Sequence, residues 1–223
     1  MRNFGRLQSN AGTACTLGFD FDSDFSQLLN NGEVDCFIFA TENGFSPLGS
    51  ALGMIAKELQ IPGNEIVKLA DWNRFENKGI SNVCFKNKNE ESRLRGVVLA
   101  ACENSKCYTG THDGAPHRNF YYNVSYEAIY YAAMVCGAKK IAVTHLSASG
   151  NYHADIATCT AEALAHFHDE FPNKITSLSF VGCCIQESHL RGIQRLNAEK
   201  TSKHNKIQTT TKALDYGELV SLF

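Results

Sequence analysis

Three short segments of this 223-residue chain carry residue types able to do chemistry. In ENSKCYTGTHDGAPHRN (Glu103–Asn119), His112, Asp113 and His117 fall within six positions of one another. Two imidazoles and a carboxylate so close could converge on a proton, a metal ion or a substrate, and Arg118 adds a charge for an anion. That pattern suits a hydrolase or a phosphorylase. Turn-forming residues with incidental histidines would read the same way, so both readings stay open. The second segment is KIAVTHLSASGNYHADIATCTAEALAHF (Lys140–Phe167), which reads as strand, small-residue loop and helix without a breaker. Ser147, Ala148, Ser149 and Gly150 leave backbone N–H groups unobstructed beside the positive end of the helix dipole, an arrangement for phosphate or carboxylate. Asn151 and Tyr152 complete the loop, and the Tyr152 ring is sized to cover a base or a sugar. The third segment, TENGFSPLGS (Thr41–Ser50), sets Gly44 and Gly49 at the spacing of a phosphate-binding P-loop ahead of a helix. Ser50 stands where such a loop needs its lysine, which argues against nucleoside triphosphate hydrolysis. Asn43, Gly44, Gly49 and Ser50 are therefore candidate ligand contacts without a triphosphatase signature.

The elements that must position these segments alternate between strands and helices, the pattern of a sheet covered on both faces. Val34–Ala40, Gly96–Ala101, Lys140–His145 and Ile175–Cys183 are short apolar runs that read as central, parallel strands. Helical stripes recur at three and four residues: Leu48, Leu52, Ile55 and Leu59; Ile129, Ala132, Ala133 and Cys136; Ile156, Cys159, Ala163 and Phe167. Ser46–Pro47 reads as a helix start, Pro62–Gly63 as a stop, and Gly137 as a C-terminal glycine. Lys86–Arg95 reads as a charged connection. In an open sheet of this type ligands bind beyond the carboxyl ends of the strands, where all three chemical segments would emerge. His145, His166 and His168 read as packing or surface residues, since positions two apart on a helix do not share a face.

Composition narrows the class. A net charge of -2 gives no general attraction to nucleic acid or to an anionic membrane. No run of about 18 apolar residues occurs, and the N-terminus lacks a signal-peptide core, so a soluble, cytoplasmic protein is expected. The nine cysteines are odd in number, scattered and set among apolar neighbours, as reduced packing cysteines are. Without a CxxC pair no zinc ribbon is indicated, and neither a metal nor a cofactor is expected. Residues 1–187 read as one α/β domain. Residues 188–223, with Arg191, Arg195, Lys200, Lys203, Lys206 and Lys212, read as a basic extension.

Two stretches carry a family resemblance: VDCFIFATENG (Val34–Gly44) and YEAIYYAAMVCGAKKIAVTHLSASGNYHADIATCTAEALAHF (Tyr126–Phe167). Together they resemble the macro domain, including the related amino-terminal domain of leucine aminopeptidases. The resemblance implies a three-layer α/β/α fold with a mixed, mostly parallel central sheet. It also implies a cleft for ADP-ribose or a similar nucleotide, with Asn43 near the distal ribose and Ser147–Tyr152 around the phosphates. Asp20 or Asp22 would supply the adenine-binding aspartate. The chain departs from the hydrolytic members, having Phe39 where they carry an asparagine, and Pro47, Leu48, Gly49 and Ser50 in place of consecutive glycines. De-ADP-ribosylation by the usual residues is not implied. The expected partner is a phosphorylated small molecule, with a homo-oligomer compatible and a regulatory or oligomerisation module with a degenerate cleft as the alternative.

Overall fold

The computed structural model describes residues 2–8, 12–20, 24–41, 50–69, 82–101, 115–144, 146 and 153–182. In chain order the strands are β1 (Arg2–Gln8), β2 (Ala14–Asp20), β3 (Cys36–Thr41), β4 (Asn82–Lys86), β5 (Gly96–Ala101), β6 (Lys140–Val143) and β7 (Ser177–Val181). The helices are α1 (Phe25–Asn30), α2 (Ser50–Gly53), α3 (Gly63–Leu69), α4 (Ala115–Tyr130) and α5 (His153–Glu170). Wider π turns extend α2 over Met54–Glu58 and α4 over Tyr131–Val135.

All seven strands form one sheet in the order β1-β2-β7-β6-β3-β5-β4. The run from β2 to β5 is parallel throughout, and β1 and β4 join antiparallel at the two edges. The central strands are buried on both faces, which is why their sequences are continuously apolar. On β3 the alternation decides which layer each side chain meets. Cys36 and Ile38 pack with α4 and α5, whereas Phe37 and Phe39 pack with α1, α2 and Ile66 of α3. The result is three layers. Phe25 of α1 closes edge-on against both phenylalanines, with ring centroids 5.6 and 5.3 Å away.

Two of the three expected helix stripes meet the core where they are described. Ile129, Ala132, Ala133 and Cys136 are buried, as are Cys159, Ala163 and Phe167. In the stripe through α2, Ile55 and Leu59 are buried as expected, Leu48 lies outside the described residues, and Leu52 alone needs correction. Leu52 is 37% exposed, while Ala51, Met54, Ile55 and Leu59 are buried. The π turn that follows is closed by the Leu59 N–H on the Met54 carbonyl at 3.1 Å. Pro62–Gly63 also does more than stop a helix, because the Pro62 carbonyl accepts from the Glu65 and Ile66 N–H groups and opens α3. Gly137, at φ 71°, follows α4 as a left-handed C-terminal residue. The Lys86–Arg95 connection is a hairpin built by asparagines: the Asn87 amide donates to the Leu94 carbonyl at 2.8 Å, and its Oδ1 accepts from the Asn89 N–H.

His166 and His168 of α5 behave as expected. His168 is buried and hydrogen-bonded to Thr13, at 3.2 Å to its carbonyl, while His166 lies exposed against Tyr122. Among the described residues no helix is long and apolar enough to cross a membrane.

Candidate functional site

Because β2, β7, β6, β3 and β5 run parallel, their carboxyl ends form one edge, at Asp20, Val181, Val143, Thr41 and Ala101. β3 and β5 end side by side at Thr41 and Ala101, about 4.8 Å apart, and β6 ends opposite Ile38, three residues or about 10 Å short of them along the strands. The chain turns in opposite directions from the middle of this set. After β3 it proceeds through α2 to β4 and β5 on one side; after β5 it crosses to β6 on the other. β3 and β6 therefore flank the switch point, where successive connections diverge.

Side chains at the strand ends tie these strands together. Thr144, directly after β6, donates its N–H to the Ile38 carbonyl at 3.0 Å, and its Oγ1 accepts from the Ala40 N–H at 3.1 Å. One residue thus fastens the end of β6 to β3 across 104 positions of sequence. Thr41 does the same on the other side, its Oγ1 donating to the Ala100 carbonyl of β5 at 3.0 Å. At the far end, the Gly182 N–H donates to the Asp20 carbonyl at 2.9 Å. Gly182 has φ 110°, a backbone conformation that a Cβ would strain, and there the chain turns out of β7. None of these three residues stands out in the sequence. A threonine closing an apolar strand run is the one available signal for Thr144.

Of the candidate site residues, Ser50 is the exposed first residue of α2, and His117 is the third residue of α4. Asn43, Gly44, Gly49, His112, Asp113, Ser147, Ser149, Gly150, Asn151 and Tyr152 lie outside the described residues. Their flanking elements are described. Residues 42–49 follow β3, 102–114 follow β5, and 147–152 run from buried Leu146 to the first residue of α5. All three segments thus start from the same sheet edge. Of the two aspartates, Asp20 ends β2 on this edge, paired in register with Val181, and Asp22 lies outside the described residues.

The opposite edge is built for structure. Asp35 accepts the Lys139 and Lys140 N–H groups at 3.0 and 2.9 Å, tying the start of β6 to the start of β3. Burial raises its carboxyl above the ordinary 3.8, partly offset by those two N–H donors. Among the described residues, no group of three or more His, Cys, Asp or Glu could hold a metal ion.

No family model and no curated protein sequence matches the chain. Solved structures do match. A mutant of the Oceanobacillus iheyensis macrodomain aligns with a TM-score of 0.55 at 12% identity, over 91% of this chain and 100% of that one. The chain has a macrodomain-like fold. The Oceanobacillus macrodomain with ADP aligns at TM-score 0.54 and 14% identity, over 89% of this chain and 97% of that one. A further mutant with ADPR gives 0.53 and 10%, over 89% and 99%.

Within this macrodomain-like sheet, Phe39 is a core residue. It is buried and stacked on Phe37 at a centroid distance of 5.7 Å. Phe39 thus belongs to the apolar layer beneath α1 and α2.

Proposed function

We propose that the protein binds a phosphorylated small molecule, a nucleotide or ADP-ribose-like ligand, in the crevice at the carboxyl ends of β3 and β6. The observation that carries this reading is the switch point itself, locked by Thr144, whose two strands β3 and β6 lead in sequence toward residues 42–49 and 147–152. The small residues Ser147–Gly150 stand in sequence ahead of the 18-residue helix α5, whose N-terminal dipole favours a phosphate. Macrodomain neighbours with ADP and with ADPR support the ligand class. In this reading Asn43, Gly44, Gly49 and Ser50 line one wall and Ser147, Ser149, Gly150, Asn151 and Tyr152 the other, with Asp20 toward the base. Residues 1–187 form the binding body, and 188–223 are a basic extension.

The test is thermal denaturation with ADP-ribose, ADP, sugar phosphates and inorganic phosphate. A ligand at a hundred times its Kd stabilises by about 2.7 kcal/mol, or roughly 5–10 °C for a chain of this size. ADP-ribose should give such a shift, and replacing Gly150 by a bulky residue should remove it while leaving the unliganded transition in place. No shift with any phosphorylated ligand would leave a structural or oligomerisation module. Hydrolysis through His112, Asp113 and His117 is a second reading, favoured by the start of residues 102–114 at the end of β5, beside β3. Turnover lost on replacing both histidines by alanine, with binding retained, would support it.

A further inference from the structure

A second chemical grouping lies away from the carboxyl edge, where α4 ends against the sheet. Three cysteines meet there: Cys36 at the start of β3, Cys84 on the edge strand β4, and Cys136 directly after the π turn of α4. The Cys84 and Cys136 sulfurs are 3.2 Å apart with both thiols free. The contact depends on Gly96. Its neighbours in register are Cys36 on one side and Lys86 on the other, so the glycine leaves a hole in the sheet surface between the two strands. Cys136 fills that hole: a Cβ on residue 96 would overlap its Sγ and come within 3.1 Å of its Cβ.

We infer that Cys84 and Cys136 are a thiol pair that a hydroperoxide oxidises to an intramolecular disulfide, joining the end of α4 to the edge strand β4. Closing the bond brings the sulfurs from 3.2 Å to about 2.05 Å, a movement of the order of 1 Å. Access favours this pair over the alternative. Cys84 is half-buried on an edge strand and Cys136 keeps 5% of its surface exposed, whereas Cys36 is fully enclosed. We assign Cys136 as the nucleophile from its position: it stands between the other two thiols, both of which donate to its sulfur, and these hydrogen bonds with the nearby Lys86 ammonium lower its pKa. The same contact, together with burial, pushes the other two thiols up.

The Cys136 thiolate attacks one peroxide oxygen; the S–O bond forms, the O–O bond breaks, and the departing hydroxide takes a proton to become water. The Cys84 sulfur then attacks the resulting sulfenic acid, forming the S–S bond and expelling hydroxide, which takes the Cys84 proton as a second water. Two thiols lose two electrons and one peroxide gains them. The geometry suits this chemistry rather than metal binding, since the described thiols do not form a metal-holding group.

The full chain lends itself to a direct test. Trypsin cuts after Lys78, Lys86, Arg118 and Lys139, so Cys84 and Cys136 fall on peptides 79–86 and 119–139, neither of which carries another cysteine. The native protein is treated with hydrogen peroxide, its remaining thiols are alkylated, and the digest is mapped by mass spectrometry without reduction. The expected result is a linked 79–86/119–139 peptide, lighter than the sum of its parts by two hydrogens and released by dithiothreitol. In Cys84→Ser the sulfenic acid on Cys136 should persist and be trapped by dimedone. The inference is overturned if both peptides remain alkylated while other cysteines oxidise. It is also overturned if Cys136 proceeds to sulfinic acid in the wild-type chain or links to Cys36 instead. The wild-type map decides the matter even if the variant does not fold.

Discussion

Gly96→Ala tests the packing at the end of α4 with a single methyl group. The added Cβ would overlap the Cys136 sulfur and sit 2.8 Å from the Phe85 carbonyl oxygen, a backbone atom of the neighbouring strand. Side-chain sulfur can rotate away, but the carbonyl is held in the β4–β5 ladder by the Phe85–Val97 and Lys86–Gly96 pairs. Overpacking of this kind costs about 1–3 kcal/mol. Replacing glycine by alanine restricts the unfolded chain and returns about 0.4–1 kcal/mol, since Gly96 has no positive φ that alanine would strain. The expected net loss is about 1–2 kcal/mol, which for a chain of this length lowers Tm by roughly 2–8 °C. Urea unfolding followed by far-UV circular dichroism measures it. A cycle with Cys136→Ala should show the alanine at 96 to be less costly once the sulfur is gone, leaving the Phe85 oxygen as the residual clash. Stability equal to or above wild type for Gly96→Ala alone would refute the close approach.

Three further outcomes are expected. Thr144→Val keeps the shape but leaves the Ala40 N–H without its acceptor, so stability should fall by about 1–3 kcal/mol and the Ala40 amide should exchange faster by NMR. Phe37→Ala removes a fully buried ring from the layer beneath α1 and should cost about 3–5 kcal/mol in chemical denaturation; a loss below 1 kcal/mol would contradict that packing. Asp35 should titrate above 3.8 by carbon NMR. Because the folded state then holds the proton more tightly than the unfolded chain, its contribution to stability is present at low pH and declines as pH rises from 3.8 through the folded value.

The sheet centre was legible because strands buried on both faces are written as unbroken apolar runs: Gly96–Ala101 appears at its predicted bounds, and Lys140–His145 and Ile175–Cys183 shorten to β6 and β7. The edges were not legible. In β1, RNFGRLQ, polar residues and a glycine interrupt the pattern, and register shifts between Asn3 and Gly5; β4 lies next to a charged hairpin that dominates its local composition. Leu52 failed for a different reason: Ala51, one turn ahead of Ile55, takes the buried position, and beside it the leucine reads from sequence as the more apolar of the two. At the site, sequence spacing located the segments that leave the carboxyl edge, but it could not disclose Thr144. Its role depends on a pairing with β3 made across 104 residues. Likewise, cysteines 36, 84 and 136 read as separate packing residues until the register of β3, β5 and β4 placed Gly96 between them.

The most direct measurement of the central claim is hydrogen–deuterium exchange of the full chain with and without saturating ADP-ribose. Protection should concentrate in peptides spanning Thr41–Ser50 and His145–His153, which flank the switch point between β3 and β6. Unchanged exchange in both peptides, or protection confined to the opposite edge around Asp35 and Lys139, would contradict a ligand crevice at the carboxyl ends of these strands.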